Sequence, residues 1–176
     1  MTSAMLIPVI MTIVGAATPI LLAALGELVV EKSGVLNLGV EGMMLIGAVT
    51  GFAVTTVTGQ PVIGILAAML AAAGAAFIFG FLTLTLTANQ VATGLALTIF
   101  GIGLSALAGG DYVGRTVDVF GSVFPTGLAE HPFWRVIFGY SPIVYFSIIM
   151  VFAVRWFLRS TRAGLILRAV GESDTS

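Results

Sequence analysis

The chain has 176 residues, 59% of them hydrophobic and only 9% charged, with 22 glycines, no cysteine and a formal net charge of -1; its mean hydropathy is +1.14. A soluble globule of this composition would expose too much apolar surface, so the expected medium is lipid and the expected fold is one all-α membrane domain over 1–176. The charge balance gives no basic surplus for nucleic acid, and without cysteine there are no disulfides or thiolate metal sites.

The opening "MTSAMLIPVI" lacks the positive n-region of a secretory signal and is expected to be a retained span. Five apolar runs approach the roughly 20 residues that a helix needs to cross the hydrocarbon core. Met5 to Leu25 is the first, with Pro19 able to kink it. Gly34 to Val57 is the second, interrupted by Asn37 and Glu41. Pro61 to Ala88 is the third, and its "LAAMLAAAGAAF" block invites close approach by a neighbouring helix. Asn89 to Ala108 is the fourth. The fifth, Pro142 to Leu158, follows a polar segment and is announced by Ser141 as a cap and Pro142 at the first helical position. The predicted architecture is a polytopic helical bundle with a broken or irregular second span.

If the runs alternate, Lys32, Arg159, Arg162 and Arg168 share one side, with Arg155 snorkelling toward it, while Arg115 and Arg135 take the other. The richer side is then cytoplasmic, which puts the N-terminus and the segment Gly109 to Ser141 outside and the C-terminal tail inside. The outer segment holds Asp111, Asp118, Glu130 and "HPFWRVIFGY", whose aromatics suit a membrane interface. His131 has no partner ligands in sequence and reads as a solvated loop histidine, so no metal, cofactor or catalytic group is expected.

The densest polar constellation is "GELVVEKSGVLNLGVEG", Gly26 to Gly42. A cytoplasmic loop accounts for Glu27, Glu31 and Lys32, but "SGVLNLGVEGMM" is too apolar and glycine-rich to be only a loop. Gly34, Gly39 and Gly42 weaken a continuous helix, and Asn37 and Glu41 at i, i+4 spacing would project from one face. A carboxylate at such depth is costly, so Glu41 on a broken helix suggests a permeation or gating element, with a structural hydrogen-bonded cap as the alternative. "GELVVEKS" falls one residue short of a phosphate-binding loop, because Glu31 stands where a glycine is required; no nucleotide site is expected.

On the fourth run, Gln90, Gly94, Thr98, Gly101, Ser105 and Ala108 draw a small and polar stripe at helical spacing. Helix packing explains Gly94, Gly101 and Ala108. Asn89 and Gln90 are candidates either for capping or for offering amide groups to a polar solute. "RSTRAGLILRAVGE", Arg159 to Glu172, reads as an amphipathic interfacial helix, whether a membrane anchor or a docking element for a cytoplasmic partner.

Three stretches in this order, "TPILLAALGELVVEKSGVLNLGVEGMMLIGA", "ANQVATGLAL" and "STRAGLILRAVGE", resemble successive landmarks of bacterial ABC importer permeases of the simple sugar and nucleoside group. The resemblance implies a plasma-membrane subunit that performs no chemistry and carries a small neutral polar solute. The implied partners are a second permease, two cytoplasmic ATPases and an extracellular or periplasmic substrate-binding lipoprotein. It implies that Asn37, Glu41, Asn89, Gln90, Gly94 and Thr98 face the solute pathway. It also implies that Thr161, Arg162, Gly164, Arg168 and Glu172 lie in the coupling loop, 159–172, that touches the ATPase. Such permeases usually continue with further spans, so the chain is expected to be the N-terminal part of a longer permease. Two rival readings are a proton-coupled secondary transporter using Glu41 and a non-transporting membrane scaffold.

Overall fold

The computed structural model describes residues 3–117, 120–121 and 137–172. Asp118, Glu130, His131, Arg135 and Ser173 lie outside the described residues. Among those described, the regular structure is entirely helical. It comprises α1 (Ser3–Glu31), α2 (Val40–Thr58), α3 (Pro61–Gly80) continued by a π-helical turn (Phe81–Thr85), α4 (Gln90–Gly109) ending in a 3-10 turn (Gly110–Tyr112), α5 (Pro142–Ser160) and α6 (Arg162–Glu172). Five of these helical stretches are long and apolar enough to cross a membrane: Leu6–Glu31, Val40–Thr58, Pro61–Thr85, Gln90–Tyr112 and Pro142–Ser160.

Two boundaries differ most from those read in the sequence, while the third run ends at Thr85 rather than Ala88 and the fourth at Tyr112 rather than Ala108. The first helix does not stop at Leu25 but runs through Glu27 to Glu31, because nothing in "GELVVE" breaks it until the chain turns at Lys32–Gly34. The second span does not start at Gly34. The chain takes a left-handed conformation there (φ 83°), stays non-helical, and begins α2 only at Val40. Asn37 and Glu41 therefore do not share a helix face: Asn37 precedes the helix and is buried, whereas Glu41 sits in its first turn and is exposed. At the fifth span Pro142 occupies the first turn as expected, but the Ser141 side chain makes no capping bond.

The chain gathers into two compact units. In the unit Val35–Val119, α2 packs along α3 and α4 around Met43, Ile46, Ala75, Phe79 and Leu97. The alanine-rich block does what its small side chains allow, since the Ala72 methyl faces α2 at Gly47 and the Ala68 methyl faces it at Gly51. In the unit of Met1–Gly34 with Phe120–Ser176, α1 lies against α5, and α5 passes into α6 across Thr161 alone. From the start of α5, the Tyr145 hydroxyl donates back to the Ile137 carbonyl (2.8 Å) and its ring meets Tyr140 edge-on. Burial, then the neighbouring phenol of Tyr145, pushes the Tyr140 pKa above its ordinary value.

Large apolar side chains such as Phe77 (75% exposed) and Leu107 (82%) point outward. Water would not tolerate so many; a bilayer demands them.

Candidate functional site

The first candidate site is the broken approach to α2. Non-helical backbone in an apolar setting must find hydrogen-bond partners other than its own ladder. Here α4 supplies them. The Leu36 N–H donates to Gln90 Oε1 at 2.7 Å, and the Thr98 hydroxyl donates to the Leu38 carbonyl at 2.9 Å. The segment also braces itself: the Gly39 N–H donates to Asn37 Oδ1 (2.9 Å), and Asn37 Nδ2 points at Met43 Sδ (3.8 Å).

These bonds form because the backbones lie nearly in contact. A methyl group added at Gly94 would sit 2.9 Å from the Leu38 and Gly39 nitrogens, and one at Gly101 would sit 2.5 Å from Gly42 Cα. A methyl at Gly42 would strike the Leu97 carbonyl and lie 2.7 Å from Thr98 Cα. Real Cβ atoms do not approach backbone so closely, so glycine is the residue these positions admit.

The structure thus brings Asn37, Gln90, Gly94 and Thr98 together around the non-helical segment, while Glu41 and Asn89 stand at helix N-termini. Asn89 caps α4, its side chain accepting the Ala92 N–H at 3.0 Å. Glu41 stands in the first turn of α2, where the positive end of the helix dipole favours a carboxylate without any solute. Of the α4 stripe, Ser105 turns its hydroxyl back to the Ile102 carbonyl (3.1 Å) and Ala108 is exposed. Sequence reading did not single out Leu36 and Leu38, whose peptide groups receive the α4 side chains. Side-chain identity carries no signal for a backbone role.

The second candidate site is α6. Thr161 joins two helices with one hydroxyl, which donates to the Phe157 carbonyl (2.7 Å) and accepts the Gly164 N–H (3.0 Å). A methyl at Gly164 would strike the Phe157 carbonyl and lie 2.8 Å from Leu158 Cα. Seven residues on, Gly171 is pressed against the turn that ends α1: a methyl there would strike the Lys32 carbonyl and lie 2.8 Å from the Gly34 nitrogen. The two glycines share one face of α6 and anchor both of its ends; sequence reading named Gly164 but missed Gly171, for which the seven-residue spacing was an available signal. Leu165, Ile166 and Val170 remain exposed on other faces of the helix, alongside Arg162. Arg168 and Glu172 form an exposed i, i+4 pair at 3.7 Å, of small energetic worth.

Among the described residues, no three His, Cys, Asp or Glu side chains gather to hold a metal ion. Five helices among the described residues are long and apolar enough to cross a membrane, which marks a multi-pass membrane protein. The chain belongs to the family described as the permease component of the branched-chain amino acid transport system, whose model matches residues 9–176. It is 40% identical over 164 residues to a putative glucose ABC transporter permease protein of Haloferax volcanii, covering 90% of this chain and 50% of that protein. It is 32% identical over 170 residues to a guanosine ABC transporter permease protein of Bacillus subtilis, covering 89% of this chain and 53% of that one. The chain spans about half the length of these curated relatives. No solved structure matches it significantly.

Proposed function

We propose that this chain is membrane-spanning permease sequence of an ATP-driven ABC importer, and that the solute is small, neutral and polar, either a nucleoside or a simple sugar. The observation that carries the reading is the likeness to permease proteins named for glucose and for guanosine. Two features of the fold support it. Amide and hydroxyl groups of Asn37, Gln90 and Thr98 hydrogen-bond the non-helical backbone, a polar and uncharged cluster of the chemistry that hydroxyl-rich solutes would need. The amphipathic α6 is clamped at both ends, as a helix must be if it is to transmit a rigid movement from cytoplasmic ATPase subunits to the spans.

In this reading ATP is hydrolysed on separate ATPase subunits, a second permease subunit completes the pathway, and a binding protein delivers solute from outside. The lysine and arginine distribution puts the N-terminus and Gly121 outside and Ser173 inside. Glu41 has an ordinary explanation at a helix N-terminus, which leaves the proton-coupled reading without a specific support.

The test is transport. Membrane vesicles carrying the chain with its ATPase, permease and binding-protein partners should accumulate labelled nucleoside or monosaccharide only when ATP is present. Accumulation driven by a proton gradient in the absence of ATP overturns the proposal. Orientation is checked separately by single cysteines at 121 and 173, since the chain has none of its own; labelling of position 173 by an impermeant reagent from outside refutes it.

A further inference from the structure

A groove of about 420 Å³ opens at the C-terminal ends of α1 and α5, beside α6. Lys32, Arg155, Arg159 and Arg168 line it together with apolar side chains that include Leu28 and Val151. Its volume lies in the range of small-ligand sites. We propose that this groove binds the headgroup of an anionic phospholipid, with its acyl chains lying along the apolar wall.

The charge balance is the first argument. Four cations converge from three elements, and Arg155 and Arg159 stand at i, i+4 spacing, where like charges destabilise a helix unless an anion lies between them. Two opposing features are present. Glu172 neutralises part of Arg168 at 3.7 Å, and each of the two helix C-termini contributes about half a negative charge. Four positive charges against one carboxylate and two half charges leave about two in excess, the complement of a phosphate-bearing headgroup. Glu27 and Glu31, on the helix that ends just before Lys32, do not line the groove.

The wall is the second argument, and it separates lipid from free phosphate. A soluble anion has no use for an apolar surface, whereas Leu28 and Val151 each lie one turn before a cation, on the way from the helix ends into the membrane-spanning stretch. A headgroup held by the cations would extend its chains over that surface. Basic pockets of this form, at the level where spans leave the hydrocarbon, are suited to lipid headgroups. The site does not depend on which solute, if any, the chain carries.

The experiment measures lipid retained by the detergent-purified chain in native mass spectrometry, with phosphatidylglycerol, phosphatidylcholine or inorganic phosphate added. Phosphatidylglycerol is expected to be retained in preference to phosphatidylcholine, and excess inorganic phosphate is expected not to displace it. Arg155→Gln should weaken phosphatidylglycerol retention about fivefold, the worth of one charge near a lipid surface. Arg155→Lys should keep it, and so should Arg115→Gln, which does not line the groove. A measurement on the unmodified chain needs no variant: raising the salt concentration should release phosphatidylglycerol selectively. Equal retention of the two lipids, displacement by inorganic phosphate, or unchanged retention in an Arg155→Gln/Arg159→Gln double variant each overturns the proposal.

Discussion

The approach to α2 and the junction of α5 with α6 solve one problem in two ways. Both press backbone against backbone through glycine, at Gly42, Gly94 and Gly101 in the first and at Gly164 in the second. They differ in how the polar groups are satisfied. The segment before α2 lends peptide groups to side chains of a distant helix, Gln90 and Thr98, more than fifty residues away in sequence. The α5–α6 junction needs only the local hydroxyl of Thr161, four residues from one partner and three from the other. The lesson is about solvent. Where a span is broken inside an apolar medium, each freed peptide group needs a fixed surrogate; where a span ends in a charged interfacial region, water and local caps suffice.

The comparison predicts a graded series of effects. The largest is expected for Gly42→Leu, because the new side chain meets carbonyl and Cα atoms of α4 that cannot rotate away. It should lower stability by about 3 kcal/mol, the upper end for overpacking, read as a fall in the thermal midpoint by circular dichroism in mild detergent. A wild-type midpoint would show that the α2–α4 contact is looser than described.

Gly164→Leu should cost less globally, about 1–2 kcal/mol, since α6 is short and terminal among the described elements and can lift away. Its signature is local: faster proteolysis within Arg162–Glu172 and, in the assembled transporter, loss of co-purifying ATPase. Arg168→Glu should lose the ATPase without the proteolysis. Retained ATPase in both variants removes the coupling role and leaves α6 as a membrane-surface anchor.

Two threonines sharpen the contrast directly. Thr98→Val keeps the shape but strips the Leu38 carbonyl of its donor, at about 1–2 kcal/mol. Thr161→Val removes a helix cap where water can replace it, at about 0.5–1 kcal/mol. Equal losses in paired unfolding measurements would break the distinction between the two regions.

The smallest effect on stability is expected at Glu41. Exchanging it for Gln removes a favourable charge–dipole term of a few tenths of a kcal/mol. Its effect on transport is a separate matter: in a complete transporter Glu41→Gln should slow uptake more than Glu27→Gln if Glu41 faces the solute. Equal uptake by both variants makes Glu41 a helix-terminus residue only.

Much of the architecture was legible because hydrocarbon imposes a length. Runs of uncharged residues located all five spans, and glycine-rich "SGVLNLGVEG" announced a break in the second. The stripe on α4 was legible for three turns, where Gln90, Gly94, Thr98 and Gly101 do face the partner. What failed was the geometry of the break. Treating Gly34 to Val57 as one helix placed Asn37 and Glu41 on a shared face, whereas the positive φ at Gly34 and the turn at Leu38–Gly39 put one in the interior and the other on the surface.

The sequence by itself determined the solvent, the five apolar helices among the described residues and the amphipathic character of α6, because each follows from composition and periodicity along a single segment. Only the tertiary structure decided which peptide groups Gln90 and Thr98 satisfy, that Gly171 seats α6 on the end of α1, and that Lys32, Arg155, Arg159 and Arg168 converge on one groove. The reason is physical. A hydrogen bond or an electrostatic cluster is a relation between segments remote in the chain, and its partners are fixed by where close-packed backbones meet, at distances that local propensity does not encode.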